Sequence, residues 1–287
     1  MAPTGKLFRA LTRRGPHHVL RGDLAFAGLP GVVYTPESGL DLAGVAFGHD
    51  WLAGAEHYSG TLEHLASWGI VAAAPDTERG LAPSVLGLSA DLGTTLDIIA
   101  GVRLGPGNIS VHPRKLGLVG HGFGGSAAVL AAFERSARSA SSGHEPKAVA
   151  AVFPSVTKPA AENFALGLPT PGLVVSAPGD EATMRSNALD LIRAWDGAVL
   201  RVVKKAKPAG FAEGRRMTRL VGLPTSDAKT QKTVRALLIG YLLYQLTSDK
   251  SYRDFADPQA RLPRTQAFDE PAEPAVPEDK IVALLKS

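Results

Sequence analysis

The chain has 287 residues, enough to bury a large core as one α/β domain. Hydrophobic residues at 45% and charged residues at 20% are those of a soluble globular protein, and the absence of cysteine excludes disulfides, thiolate nucleophiles and cysteine metal sites and suits a cytoplasmic location. A net charge of +4 is too mild to point to nucleic acid, and the longest apolar run, Ala236 to Tyr244, is about half of the roughly 20 residues that span a bilayer.

Met1 to Arg21 carries Lys6, Arg9, Arg13, Arg14 and Arg21 without the apolar stretch of a secretory leader. From residue 30 onward, strand-like and helix-like segments alternate, which predicts a mostly parallel, doubly wound sheet with helices on both faces. Gly31 to Thr35 reads as a short strand stopped by Pro36, and Val45 to Phe47 leads into Gly-His-Asp-Trp. Thr61 to Trp68 has helical spacing; Ile70 to Ala74 is an unbroken apolar run, as a central strand would be. A helix is expected over Ala90 to Val102, a strand over Leu116 to Val119, and a helix over Ser126 to Arg138. Strands Ala148 to Phe153 and Gly172 to Ser176, helix Ala182 to Trp195, strand Ala198 to Val203 and helix Gln231 to Leu246 complete the series. The folded domain is expected over residues 1–257, with a proline-rich acidic tail over 258–287, loosely packed or partly disordered.

The strand ending at Val119 runs into Gly120-His121-Gly122-Phe123-Gly124. This has the form of the nucleophile elbow Gly-x-Ser-x-Gly, with Gly122 where the serine belongs. Glycine can neither attack a carbonyl nor carry an acyl group. The same glycines also satisfy Gly-x-Gly-x-x-Gly, but several strands precede the turn and no acid ends the next strand, which argues against a dinucleotide cofactor. The histidines lack metal-ligand spacing, so neither metal nor cofactor is expected.

The order of elements resembles the α/β-hydrolase superfamily, and within it the branch of dienelactone hydrolases and bacterial polyester hydrolases. The resemblance rests on Arg14-Gly15-Pro16, Gly31 to Pro36, Phe47-Gly48-His49-Asp50-Trp51, His64 to Gly69 and Pro75-Asp76-Thr77, and covers roughly residues 14 to 250. It implies an elbow serine, an acid after a later strand and a histidine after the last strand. Asp180 matches the acid. Pro208, in Pro208-Ala209-Gly210-Phe211, stands at the histidine position, and no histidine follows His144. Asp50 replaces a glycine of the oxyanion loop, where a carboxylate opposes a developing oxyanion.

The expectation is therefore a catalytically inactive hydrolase homologue with degenerate positions Gly122, Asp180 and Pro208. Two uses fit it. One is a scaffold or regulator that meets a protein partner through the basic stretch Arg201 to Arg219 or the acidic tail Asp269 to Asp279. The other is a small-molecule or acyl-ligand site lined by Asp50, Trp51, His121, Phe123 and Asp180. The alternative is a weak ester hydrolase in which Asp180 or Asp50 activates water.

Overall fold

The computed structural model describes residues 4–137, 144–180, 183, 185–214 and 225–266. It is of the α/β class, with a single mixed nine-stranded sheet in the order β1-β2-β4-β3-β5-β6-β7-β8-β9. The strands are β1 Val19–Asp23, β2 Gly31–Pro36, β3 Gly39–Gly48, β4 Ile70–Pro75, β5 Ile109–His121, β6 Pro146–Val152, β7 Gly172–Ser176, β8 Ala198–Val203 and β9 Thr265–Gln266. The run from β4 through β3, β5, β6 and β7 to β8 is parallel, while β1, β2 and β9 pair antiparallel at its margins. Flanking this sheet are α1 Thr4–Leu11, α2 Ser59–Ser67, α3 Val85–Gly101, α4 Phe123–Ala137, α5 Glu162–Ala165, α6 Ala188–Ala194 and α7 Ala228–Thr247. The architecture is consistent with an α/β-hydrolase-like fold.

The inner stretches of the parallel strands, 43–48, 70–75, 116–120, 148–152 and 172–175, are apolar at every position because both of their faces are covered. Successive residues go to opposite cores, as the period of two in a strand requires. Val45 and Phe47 of β3, Ile70 and Ala72 of β4, and Ala148 and Ala150 of β6 pack with α1, α2 and α7. Ala46, Val71, Val149 and Ala151 pack with α3, α4, α5 and α6 on the other side. Many of these strand residues are alanine or glycine, which lets the helices approach closely. A Cβ built on Gly44, for example, would lie 3.0 Å from Ile99 Cδ1 of α3.

Several boundaries differ from the expected ones. Helix α3 starts at Val85 rather than Ala90, because the Ser84 hydroxyl accepts the Gly87 N–H at 3.0 Å and caps it there. Helix α6 begins only at Ala188. The chain before it is held extended against the segment after β6, with Val156 N–H donating to Arg185 O at 3.0 Å and Asn187 N–H to Pro154 O at 3.2 Å. Helix α1 and strands β1 and β9 were not expected. Strands β1 and β9, of five and two residues, are too short to carry a readable periodicity, whereas α1 is amphipathic and buries Phe8 and Leu11 on one face.

The charged segments need two corrections. Arg201 is not part of a basic surface: it is 4% exposed, on β8. Its guanidinium donates to the carbonyl oxygens of Asp254, Asp257 and Ala260 at 3.1, 2.5 and 3.1 Å, which ties the chain after α7 to the sheet. Burial pushes its guanidinium below the ordinary value, opposed by the nearby charges of Asp257 and Asp254. Lys204, Lys205 and Lys207 are exposed, whereas Arg215, Arg216 and Arg219 lie outside the described residues. Residues 258–266, expected as the start of the tail, belong to the fold: Leu262 is buried and β9 pairs with β8. The acidic stretch Asp269 to Asp279 lies outside the described residues.

Candidate functional site at the topological switch point

After β3 the chain turns to β4 on one side of the sheet, and after β5 it turns to β6 on the other. The crevice between the carboxyl ends of β3 and β5 is therefore a topological switch point, the place where open α/β sheets bind ligands. The loop after β3 brings His49, Asp50 and Trp51 there. The turn after β5 brings Gly122 and Phe123.

The turn is packed too tightly for most side chains. A Cβ on Gly48 would lie 2.9 Å from Gly124 Cα, and one on Gly120 would lie 2.6 Å from the Gly125 nitrogen. Gly122 itself has φ +54°, in the left-handed region. The elbow conformation is thus intact, and its central residue is one that adopts it without strain.

The space a side chain at position 122 would need is already occupied. A Cβ built there would lie well under 3.0 Å from Asp50 Oδ1, and 3.0 Å from Oδ2. Asp50 Oδ1 accepts the Trp51 N–H at 2.8 Å and the Phe123 N–H at 3.0 Å. In α/β-hydrolases an N–H at each of these two places, just after the nucleophile and in the loop after the third strand, forms the oxyanion hole. The two converge here on the chain's own carboxylate. Gly122 offers no capping side chain to α4, so Asp50 caps that helix from a different loop. A negative charge at a helix N-terminus is favourable.

Asp50 is held from behind. Its N–H donates to the Tyr58 hydroxyl at 3.1 Å, and Tyr58 lies 2.8 Å from His121 Nδ1. His121 Nε2 is 3.1 Å from the Pro208 carbonyl oxygen. A carbonyl only accepts, so Nε2 carries the proton; in the neutral ring Nδ1 then accepts from the Tyr58 hydroxyl, and the Tyr58 oxygen accepts from Asp50. One hydrogen-bonded chain therefore connects Pro208, His121, Tyr58, Asp50 and Phe123. Its middle is dry: Tyr58 and His121 are at most 1% exposed, and His121 stands edge-on to Phe211 and Phe153.

His49, fully buried, joins the two neighbouring loops. Its ring nitrogens lie 3.0 Å from the Asp50 carbonyl oxygen and 2.7 Å from that of Thr77. Asp180 follows β7, where its Oδ2 accepts the Ala177 N–H at 2.9 Å, so its carboxylate folds back onto its own loop. The described structure records no contact between Asp180 and the Asp50–Gly122 pair. Trp51 is half exposed, its Nε1–H donating to Leu81 O at 3.2 Å, with Leu52 and Leu81 also exposed beside it. Phe123 is partly buried against the α3–α4 core. Ser126 is fully buried in α4 and donates to Ser155 O at 2.5 Å, so its hydroxyl does not serve the turn.

Of the five residues expected to line a ligand site, Asp50, Trp51 and Phe123 come together at the switch point. His121 lies beneath it, and Asp180 is engaged on its own loop. Tyr58 is the residue that sequence reasoning missed. It ends a short 3-10 helix, Ala55–Tyr58, and no motif marks it. No group of three or more metal-ligating side chains occurs among the described residues. No family model matches the sequence, and no curated protein matches it significantly.

Proposed function

We propose that the chain is a catalytically inactive α/β-hydrolase homologue whose switch-point face serves binding to a protein partner rather than chemistry. The observation that carries this reading is the Asp50 carboxylate, which fills the seat of the missing serine side chain and takes both N–H donors of the oxyanion hole. A substrate oxyanion entering there would have to displace a like-charged group that holds two charge-assisted hydrogen bonds, each worth about 1.5–3 kcal/mol. In hydrolases a single oxyanion-hole donor contributes about 2.7–4 kcal/mol to the transition state. The site is complementary to its own side chain and not to a reaction intermediate.

A filled seat favours a partner over an acyl ligand. Trp51, Leu52 and Leu81 offer adjoining exposed apolar side chains at the same edge, as interaction surfaces do. Lys204, Lys205 and Lys207 add exposed positive charge after β8. The alternative of water activated by Asp50 or Asp180 has less to support it, since Asp50 Oδ1 and Asp180 Oδ2 each accept backbone N–H groups in their own loops.

Short-chain nitrophenyl esters and a fluorophosphonate probe test the reading on the purified chain. Neither turnover nor labelling is expected. Ester turnover that disappears in Asp180→Ala or Asp50→Ala would replace this reading with that of a working hydrolase.

A further inference from the structure

A second concave surface lies at the opposite end of the sheet, at the amino ends of β5, β6 and β7. It has a volume of about 570 Å³ and is lined by His112, Arg114, Lys115, Lys147, Gln245 and Thr247, with Pro171, Leu246 and Ser248 completing the wall. No acidic residue contributes to this lining. The volume falls within the range of small-molecule sites.

The cations differ in how far they are engaged. Lys147 Nζ pairs with Glu145 at 3.1 Å, and Lys115 Nζ donates to the Asp41 carbonyl oxygen at 3.1 Å, which leaves each ammonium further donors. The Arg114 guanidinium has no hydrogen-bond or ion-pair partner among the described residues; only its backbone N–H is used, donating to His112 Nδ1 at 3.0 Å. That bond makes Nδ1 the acceptor, so the neutral ring of His112 keeps its proton on Nε2 as a further donor. The carboxyl end of α7, Gln245 to Thr247, brings a partial negative charge of roughly half a unit. Three full positive charges outweigh it, even with Glu145 set against one of them.

We propose that this pocket binds a small oligophosphate, a phosphorylated metabolite with two or more phosphoryl groups. Several cations around one concavity match several anionic groups on one ligand. An unpaired guanidinium fork is the side chain best shaped for a phosphate edge. The pocket is independent of the switch-point reading: Lys115 lies midway along β5 and Gly122 just past its carboxyl end, about 23 Å apart at the rise of an extended strand. Activity or inactivity at the elbow therefore leaves the pocket untouched.

Titration calorimetry on the full chain at fixed ionic strength, with inorganic tripolyphosphate as the probe and citrate and orthophosphate as comparisons, tests this assignment. Tripolyphosphate is expected to bind saturably at one site, more tightly than either comparison. The variant Arg114→Gln/Lys147→Gln should weaken it about tenfold or more. Both side chains are exposed, so the unliganded variant should keep the wild-type thermal midpoint. Arg114→Lys, which keeps the charge and loses the fork, should fall between wild type and Arg114→Gln. Lys204→Gln/Lys205→Gln, which removes two exposed cations after β8, should leave the affinity unchanged. Absence of saturable binding would overturn the proposal. So would equal weakening by the two double variants, or citrate binding as tightly as tripolyphosphate.

Discussion

Placing a serine at position 122 should damage the protein through one identifiable clash. In Gly122→Ser the residue must hold φ near +54°, which costs about 1–2 kcal/mol for a residue with a Cβ. Its Cβ also overlaps the Asp50 carboxylate, which must leave and give up its bonds to the Trp51 and Phe123 N–H groups. Asp50 is only partly buried, so water replaces part of that loss; about 1.5–3 kcal/mol is a reasonable share. The expected destabilisation is about 2.5–5 kcal/mol. Asp50→Gly alone removes a helix cap and should cost about 1–2 kcal/mol. In the double variant the clash is gone, and the serine should add only its backbone strain. The two substitutions are therefore coupled by about 1.5–3 kcal/mol, with the double variant more stable than the sum of the singles. Urea unfolding of the four proteins, with unchanged m-values, measures this. Additivity within about 0.5 kcal/mol would refute the claim that Asp50 occupies the side-chain seat of residue 122.

Three other substitutions test the structure elsewhere. Tyr58→Phe removes the hydroxyl between His121 Nδ1 and the Asp50 N–H, and should destabilise by about 1–3 kcal/mol in the same unfolding assay. Burial pushes the His64 imidazole below its ordinary value, partly opposed by its hydrogen bond to the Leu11 carbonyl oxygen. The fold thus favours the neutral ring. Its contribution should be whole above the unfolded pKa of about 6.5 and lost as the pH falls toward the lower folded value, by at most about 1.4 kcal/mol per pH unit. His64→Gln should remove that slope between pH 7.5 and pH 5, measured by unfolding at each pH against wild type. Arg201→Met should cost about 2–4 kcal/mol by leaving the carbonyls of Asp254, Asp257 and Ala260 without their buried donor. Hydrogen exchange should show the loss of protection concentrated in 250–266.

The alternation of apolar strands with amphipathic helices determined the fold class, because a strand buried on both faces must be apolar throughout. β7 and β8 each run between the same two residues as expected, although Arg201 interrupts the apolar run of β8. That residue 122 carries no hydroxyl and residue 208 no imidazole is a fact of composition. Helix α6, the buried Arg201 and the packed segment 258–266 were not legible in the sequence. In each case a partner distant in sequence decides: Pro154 and Arg185 delay the helix, and carbonyls more than fifty residues away take up the arginine. The same holds at the site. Sequence placed Asp50 in the loop that follows β3. Only the tertiary structure, by setting the carboxyl end of β3 against the turn after β5, decided that its carboxylate accepts the Phe123 N–H as well as the Trp51 N–H of its own loop, because the turn after β5 lies more than seventy residues away in the chain.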